Sequence, residues 1–301
     1  MSDFLRSAVR FALAVLTAAT EGFRVVRREP RAFLVWTLLW MLVLLVVATI
    51  MAFGPRVVLG GPAPRGDLLG LVSHFGVRAI VIVPVLVAGW AVTTTAICRA
   101  VFDPDHRAIF HLRFGVAELR VALIHTVTAL VTPLIVALIL GIGAIVARPF
   151  FEAAPTMAAD IAAAGLLITV CLLVWLYVRL SLIPIETFAE GRIHVSAYWP
   201  VTRGHFWYLL WTYLAVLVIA AATSAVLGAP IMLLLQSGTA AIAQPASLLQ
   251  RAQLLGAAAA LSAASAFFFM IPTVLMSAAQ AYAYRAIAGG RPGALEAEAI
   301  A

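Results

Sequence analysis

Six long apolar runs fill residues 32–53, 77–98, 119–147, 160–184, 206–235 and 254–285. Each exceeds the roughly 20 residues that a helix needs to cross a hydrocarbon core, and the longer ones must tilt or project beyond it. Of the 301 residues 64% are hydrophobic and only 11% are charged. A soluble domain carries about 25% charged residues, so lipid has to cover this surface. The runs are evenly spread and leave no stretch for a separate water-soluble domain. The expected fold is an all-α membrane protein of six transmembrane helices.

Charge orients the bundle. All 20 basic residues are arginine, which excludes lysine Schiff-base and P-loop lysine chemistry. Fifteen arginines fall before the first run, after the second, fourth and sixth, or near those ends; five (Arg56, Arg65, Arg78, Arg148 and Arg251) fall on the other side. The richer side is expected to be cytoplasmic, with both termini inside. The six tyrosines gather toward the same ends, as do Trp36, Trp175, Trp199 and Trp207, in the manner of an interfacial aromatic belt. The net charge of +7 is spread over loop after loop, which fits anionic head groups and not nucleic acid. Cys98 and Cys171 both lie inside apolar runs and read as small core residues, with no disulfide or metal pair.

Residues 1–31 form a separate unit. Phe4, Leu5, Ala8, Ala12, Val15, Leu16, Ala19 and Phe23 share one helical face, with Arg6, Arg10, Thr17, Glu21, Arg24 and Arg28 opposite. The apolar stretch Phe11–Leu16 is too short for a secretory leader, and Arg24, Arg27 and Arg28 follow it closely. An amphipathic helix in the membrane interface, retained in the mature protein, is expected. The bundle then occupies 32–287 and a cytoplasmic tail 288–301. Similar interfacial helices are expected before the third and fifth runs. In the first, Asp103 caps, Pro104 takes the opening position and Gly115 or a neighbour ends the helix; in the second, Ser196 caps, Pro200 lies in the first turn and Gly204 ends it.

These units suggest a weak threefold repeat of interfacial helix, ascending span and descending span. Arg28, Arg113 and Arg203 precede the ascending spans; Arg99, Arg179 and Arg285 follow the descending ones. The six are candidate contacts for anionic lipid, although charge rules alone also put arginines at such places. The segments RAVFDPDHRAIFHLRFGVAELR (99–120) and ETFAEGRIHVSAYWPVTRGHFWYLL (186–210) resemble a group of uncharacterised alphaproteobacterial six-helix inner-membrane proteins. That group is similar in style to the membrane domain fused to some glycerophosphoryl diester phosphodiesterases. The resemblance implies a bacterial inner-membrane bundle with cytoplasmic amphipathic helices. It implies no catalytic residue, because the phosphodiesterase barrel has no counterpart in this sequence.

Chemistry has few places to reside. HExxH, GxSxG and glycine-rich phosphate loops do not occur. Asp103, Asp105, His106, Arg107 and His111 form the densest polar cluster. Metal binding would pull both acids out of capping geometry, so a solvated helix is expected and no metal or cofactor. His125 is the histidine well inside a span, followed by Thr126, Thr128 and Thr132 with Pro133 beside them. It is either a satisfied interhelical histidine or part of a polar pathway. Pro84, Pro133, Pro184, Pro230 and Pro272 lie at or inside spans, as in transporters with broken helices and in membrane helices generally. Ala220, Ser224 and Gly228, and Gly256, Ala260 and Ala264, recur every four residues and make close-packing faces within or between subunits. The expected function is non-enzymatic: a scaffold or accessory protein engaging anionic lipid or a membrane-protein partner. The alternative is a permease for a small or lipid-like solute. A polar cavity reaching the midplane discriminates in favour of transport.

Overall fold

The computed structural model describes residues 2–58, 68–103, 109–148, 155–193, 202–239 and 248–288. They form α1 (Ser2–Arg28), α2 (Pro30–Val58), α3 (Leu68–Phe102), a single 3-10 turn (Ile109–His111), α4 (Val116–Ala147), α5 (Pro155–Leu180), α6 (Ile183–Glu190), α7 (Phe206–Thr239) and α8 (Leu248–Ile287), with no strand among the described residues. Six segments are long and apolar enough to cross a membrane: Pro30–Ile50, Ile80–Phe102, Val116–Val146, Ala159–Glu190, Phe206–Val226 and Ala263–Ile287. The protein is an all-α, six-span membrane protein.

Prolines place two of the breaks. Pro30 opens α2 one residue after α1 ends, and backbone bonds from Glu29 N–H to the Val25 carbonyl and from Phe33 N–H to the Glu29 carbonyl carry the chain across. The fourth apolar run is not one helix, as its composition suggested. Pro184 has no N–H for the carbonyl four residues earlier, at Leu180, and its ring would clash with it. α5 therefore ends at Leu180, and α6 restarts at Ile183 and stops at the left-handed Gly191 (φ 62°). Pro84, Pro133 and Pro272 lie within continuous helices.

Gly115 begins a helix instead of ending one. Its backbone is extended (φ −152°, ψ −167°), and its N–H donates to Glu118 Oε2 at 2.9 Å, so it is the N-terminal cap of α4. The described residues just before it are the 3-10 turn and extended chain, not an α-helix. Gly204 (φ 93°) does sit at a turn after Thr202, where His205 N–H returns to the Thr202 carbonyl. Pro104, Asp105, His106, Arg107, Ser196, Pro200 and the tail beyond residue 288 lie outside the described residues.

α1 is helical throughout, but it presents a different face from the one its hydrophobicity indicates. Val15, Ala18, Ala19, Gly22 and Val25 are buried against α8 and α7, while Leu16 and Phe23 stay 52% and 42% exposed. Helix contact selects the small residues at i, i+3, i+4 and i+7, because they let the backbones approach. At Gly22 a Cβ would lie 2.6 Å from Leu275 Cα. The bulky apolar residues Leu13, Leu16 and Phe23 of α1 are left exposed. The core joins this stripe to Trp36 and Trp40 of α2, Ile97 and Ala100 of α3, and Met270, Val274 and Ala278 of α8. Cys98 belongs to it, but Cys171 is exposed on α5, contrary to its expected core role; both cysteines are free. Ala220 lies in the core, whereas the surroundings of Gly228, Gly256 and Ala260 lie outside the described side chains.

Candidate functional site

The six arginines of the expected collar divide into two kinds. Arg99, in the last turn of α3, is held on three sides: an ion pair with Glu118 of α4, a hydrogen bond of 3.1 Å from Nη1 to the His111 carbonyl, and the Phe188 ring of α6 at 5.3 Å. Arg28 donates to the Ala100 carbonyl at the end of α3. Arg179 donates to Thr202 Oγ1 at 3.2 Å and stands 5.8 Å from the Trp175 ring. These three guanidiniums are engaged by the protein itself. Arg113, Arg203 and Arg285 are exposed, as is Arg28 despite its bond to Ala100.

Arg28 and Arg99 are brought together around a strained turn. Phe110 (φ 55°) and His111 (φ 61°) are consecutive non-glycine residues in the left-handed region, each costing of order 1–3 kcal/mol. Both carbonyls are captured: Trp36 Nε1 donates to that of Phe110 at 3.1 Å, and Arg99 to that of His111. His111 is buried, and burial lowers its proton affinity below that of an ordinary histidine. Glu29 and Asp103 oppose that shift, while Arg28 and Arg99 add to it. Of the polar cluster singled out in the sequence, Asp103 and His111 are described. No three metal-ligating side chains converge among the described residues.

Between α3, α4, α5 and α8 lies a cavity of about 190 Å³. α3 contributes Trp90 and Thr94; α4 contributes His125, Thr128 and Thr132. α5 contributes Leu173, Leu176, Tyr177 and Leu180; Ser181 and Pro184 come from the break before α6; α8 adds Met276, Ser277 and Gln280. Glu118, His125 and Thr132 are seven residues apart on α4, so one helical stripe carries both the ion-paired carboxylate and the polar wall below it. By helix rise, Thr94 and His125 lie about 12–14 Å in from the Phe102 and Val116 ends, and Thr132 about 24 Å. The lining therefore runs from the end of α5 at Leu180 and Ser181 inward as far as Thr132.

The polar groups of the lining are not equally satisfied. Thr128 Oγ1 returns its proton to the Ile124 carbonyl at 2.9 Å. Ser181 Oγ bonds the Val178 carbonyl at 3.0 Å and the Tyr213 hydroxyl at 2.6 Å, tying the broken helix to α7. His125 Nε2 and Thr94 Oγ1 are buried and have no hydrogen-bonding partner among the described residues. Leaving such groups unpaired costs about 1–3 kcal/mol each, so both are open to a ligand group that can bond them. On one side of the cavity Trp90 lies edge-on to His125 with centroids 6.2 Å apart, backed by Phe269 at 5.5 Å and Trp40 at 6.1 Å. Trp40 Nε1 donates to Thr93 Oγ1 at 2.9 Å, which fixes this aromatic layer on α3.

Of the residues singled out from the sequence, His125, Thr128, Thr132 and Pro184 converge here. Thr94, Tyr177, Ser277 and Gln280 were missed. Their only signal is polarity inside apolar runs, as in the consecutive Thr93, Thr94 and Thr95. In comparisons with known proteins, no family model, no curated protein and no solved structure matches this chain.

Proposed function

We propose that this protein is a non-enzymatic solute-binding membrane protein of the permease type, whose solute occupies the cavity around His125. The observation that carries this reading is a polar pocket between four spans that runs from the helix break at Ser181 and Pro184 inward to Thr132 and holds two unengaged buried polar atoms. The proposed setting is a bacterial inner membrane with both termini cytoplasmic. There the Arg99–Glu118 pair stands between the cavity and the cytoplasmic helix ends.

The test is accessibility of the cavity to water. Thr132→Cys and Ser277→Cys, each in a Cys98→Ala/Cys171→Ala background, are exposed to a membrane-impermeant thiol reagent from either face of sealed vesicles. A solute path predicts labelling of both positions. Leu134→Cys, 72% exposed on the lipid side of α4, should stay unlabelled. Failure of both cavity positions to label from either face would sink the reading.

A second reading, a scaffold that engages anionic lipid or a membrane-protein partner, is favoured by the exposure of Arg113, Arg203 and Arg285 and by Trp207, 65% exposed near Arg203 in sequence. Each exposed arginine near an anionic surface contributes about 1 kcal/mol. Replacing these three by glutamine should reduce co-purified anionic phospholipid if this surface is functional. Equal retention in variant and parent argues against it. Arg28, Arg99 and Arg179 are poor positions for that test, because their loss disturbs the fold.

A further inference from the structure

Resting on the permease reading, we propose that the cavity takes an uncharged, ring-sized molecule bearing a hydroxyl, its ring against Trp90 and its hydroxyl on His125 and Thr94. Size sets the first limit. An apolar protein cavity of about 150 Å³ holds one benzene, so the 190 Å³ here holds a molecule of on the order of six to ten non-hydrogen atoms. A whole phospholipid does not fit within it.

Charge sets the second limit. Among the described residues no arginine, aspartate or glutamate lines the cavity. An ionised ligand would lose its hydration at this depth with no counter-ion to replace it. A neutral ligand avoids that cost.

Hydrogen bonding sets the third. Thr128 and Ser181 already serve backbone carbonyls; His125 Nε2 and Thr94 Oγ1 are buried without a partner among the described residues, and Thr132, Ser277 and Gln280 add further polar groups to the lining. A hydroxyl donates one proton and accepts two, so it satisfies either tautomer of His125 and either orientation of the Thr94 hydroxyl. A ketone or ether accepts only, and serves one tautomer. The flat face of Trp90 and the apolar side chains of Leu176 and Met276 suit a ring.

The experiment uses the full chain in nanodiscs and three probes of similar size: phenol, toluene and benzoate. Binding is read by saturation-transfer NMR, with empty nanodiscs subtracted to remove partitioning into lipid. Phenol should bind saturably, and Thr94→Val and His125→Leu should each weaken it about three- to tenfold. Toluene should bind more weakly and ignore Thr94→Val, and benzoate should not bind. Thr94→Val is nearly isosteric, so it decides the matter if His125→Leu does not fold; Ser277→Ala is the second lining variant. Phenol and toluene binding equally, or phenol ignoring Thr94→Val, would mean that water alone serves these groups and would overturn the proposal. Preference for benzoate would overturn the neutral class. If cavity cysteines label from water while phenol fails, the ligand class is wrong and the permease reading stands. If both fail, both fall.

Discussion

Arg99 and Glu118 face each other between α3 and α4, their side chains 16% and 6% exposed. Glu118 also accepts the Gly115 N–H, and Arg99 also holds the His111 carbonyl, so one ion pair joins a helix end, a helix start and the strained turn between them. Removing one partner leaves the other charge largely out of water. Breaking a fully buried pair costs about 3–5 kcal/mol. Partial exposure of Arg99 reduces this, and Glu118→Gln should destabilise the protein by about 2–3 kcal/mol. Arg99→Lys should not restore the native value, since a lysine lacks the planar fork that serves Glu118 and His111 together. Unfolding of purified protein in mixed micelles measures both. The Arg99→Met/Glu118→Gln double variant should show a coupling of at least about 1 kcal/mol; strict additivity would remove this pair from the account.

Gly22 and Gly165 make a matched test of where α1 packs. A Cβ at Gly22 would meet Leu275 backbone at 2.6 Å, whereas nothing lies within 4 Å of one at Gly165 in α5. Gly22→Ala must push α1 away from α8 and should cost about 1–3 kcal/mol. Gly165→Ala should be neutral or stabilising by up to about 1 kcal/mol, because alanine loses less backbone freedom in a helix. Limited proteolysis near Glu29 should rise in the first variant and not in the second. Equal stability of the two would show that α1 does not depend on this contact.

The six spans were legible because a membrane imposes one rule on every crossing segment, and that rule is local. What was illegible depended on partners. Leu16 and Phe23 marked the most apolar side of α1, but Ala18 and Gly22 marked the side that a neighbouring helix can approach, and only the neighbour decides. Gly115 suits a helix end as well as a helix start; Glu118 three positions on was the signal that favours a start. Pro184 was visible, yet its consequence depended on whether the chain would kink or restart. His125 stood out by itself. Thr94 and Ser277 lie 31 and 152 residues from it, and no spacing rule connects three separate spans.

His111 gives the structure a dependence on pH. Burial is the main cause of its lowered pKa, with Arg28 and Arg99 acting in the same direction and Glu29 and Asp103 against it. The unfolded chain has an ordinary histidine, near 6.5, and therefore binds a proton that the folded chain resists. The stability contributed by neutral His111 is fully present above about pH 6.5 and is lost as pH falls below it. His111→Asn should flatten this slope, since asparagine tolerates the left-handed backbone at φ 61° and does not titrate. Melting temperatures between pH 7.5 and pH 4.5 compare the two proteins, and carboxylates common to both cancel. Parallel curves would show that His111 is protonated without penalty.

Orientation rests on charge and remains the most consequential expectation to test. Fifteen arginines against five are the basis for expecting both termini in the cytoplasm, and the tyrosines gather at the same ends. The exposed Arg203 and Arg285 and the engaged Arg28, Arg99 and Arg179 all stand at that end of the bundle's helices. Phosphatase fusions after Pro62, Ala154 and Ala243 should be active, since the enzyme matures outside the cytoplasm. Fusions after Phe110 and Val195 should be inactive and become fluorescent when the reporter is a cytoplasmic fluorescent protein. Activity after Phe110 or Val195, or silence after Pro62, would invert the bundle. The Arg99–Glu118 pair, at the end of α3 and the start of α4, would then lie on the outer side of the bundle.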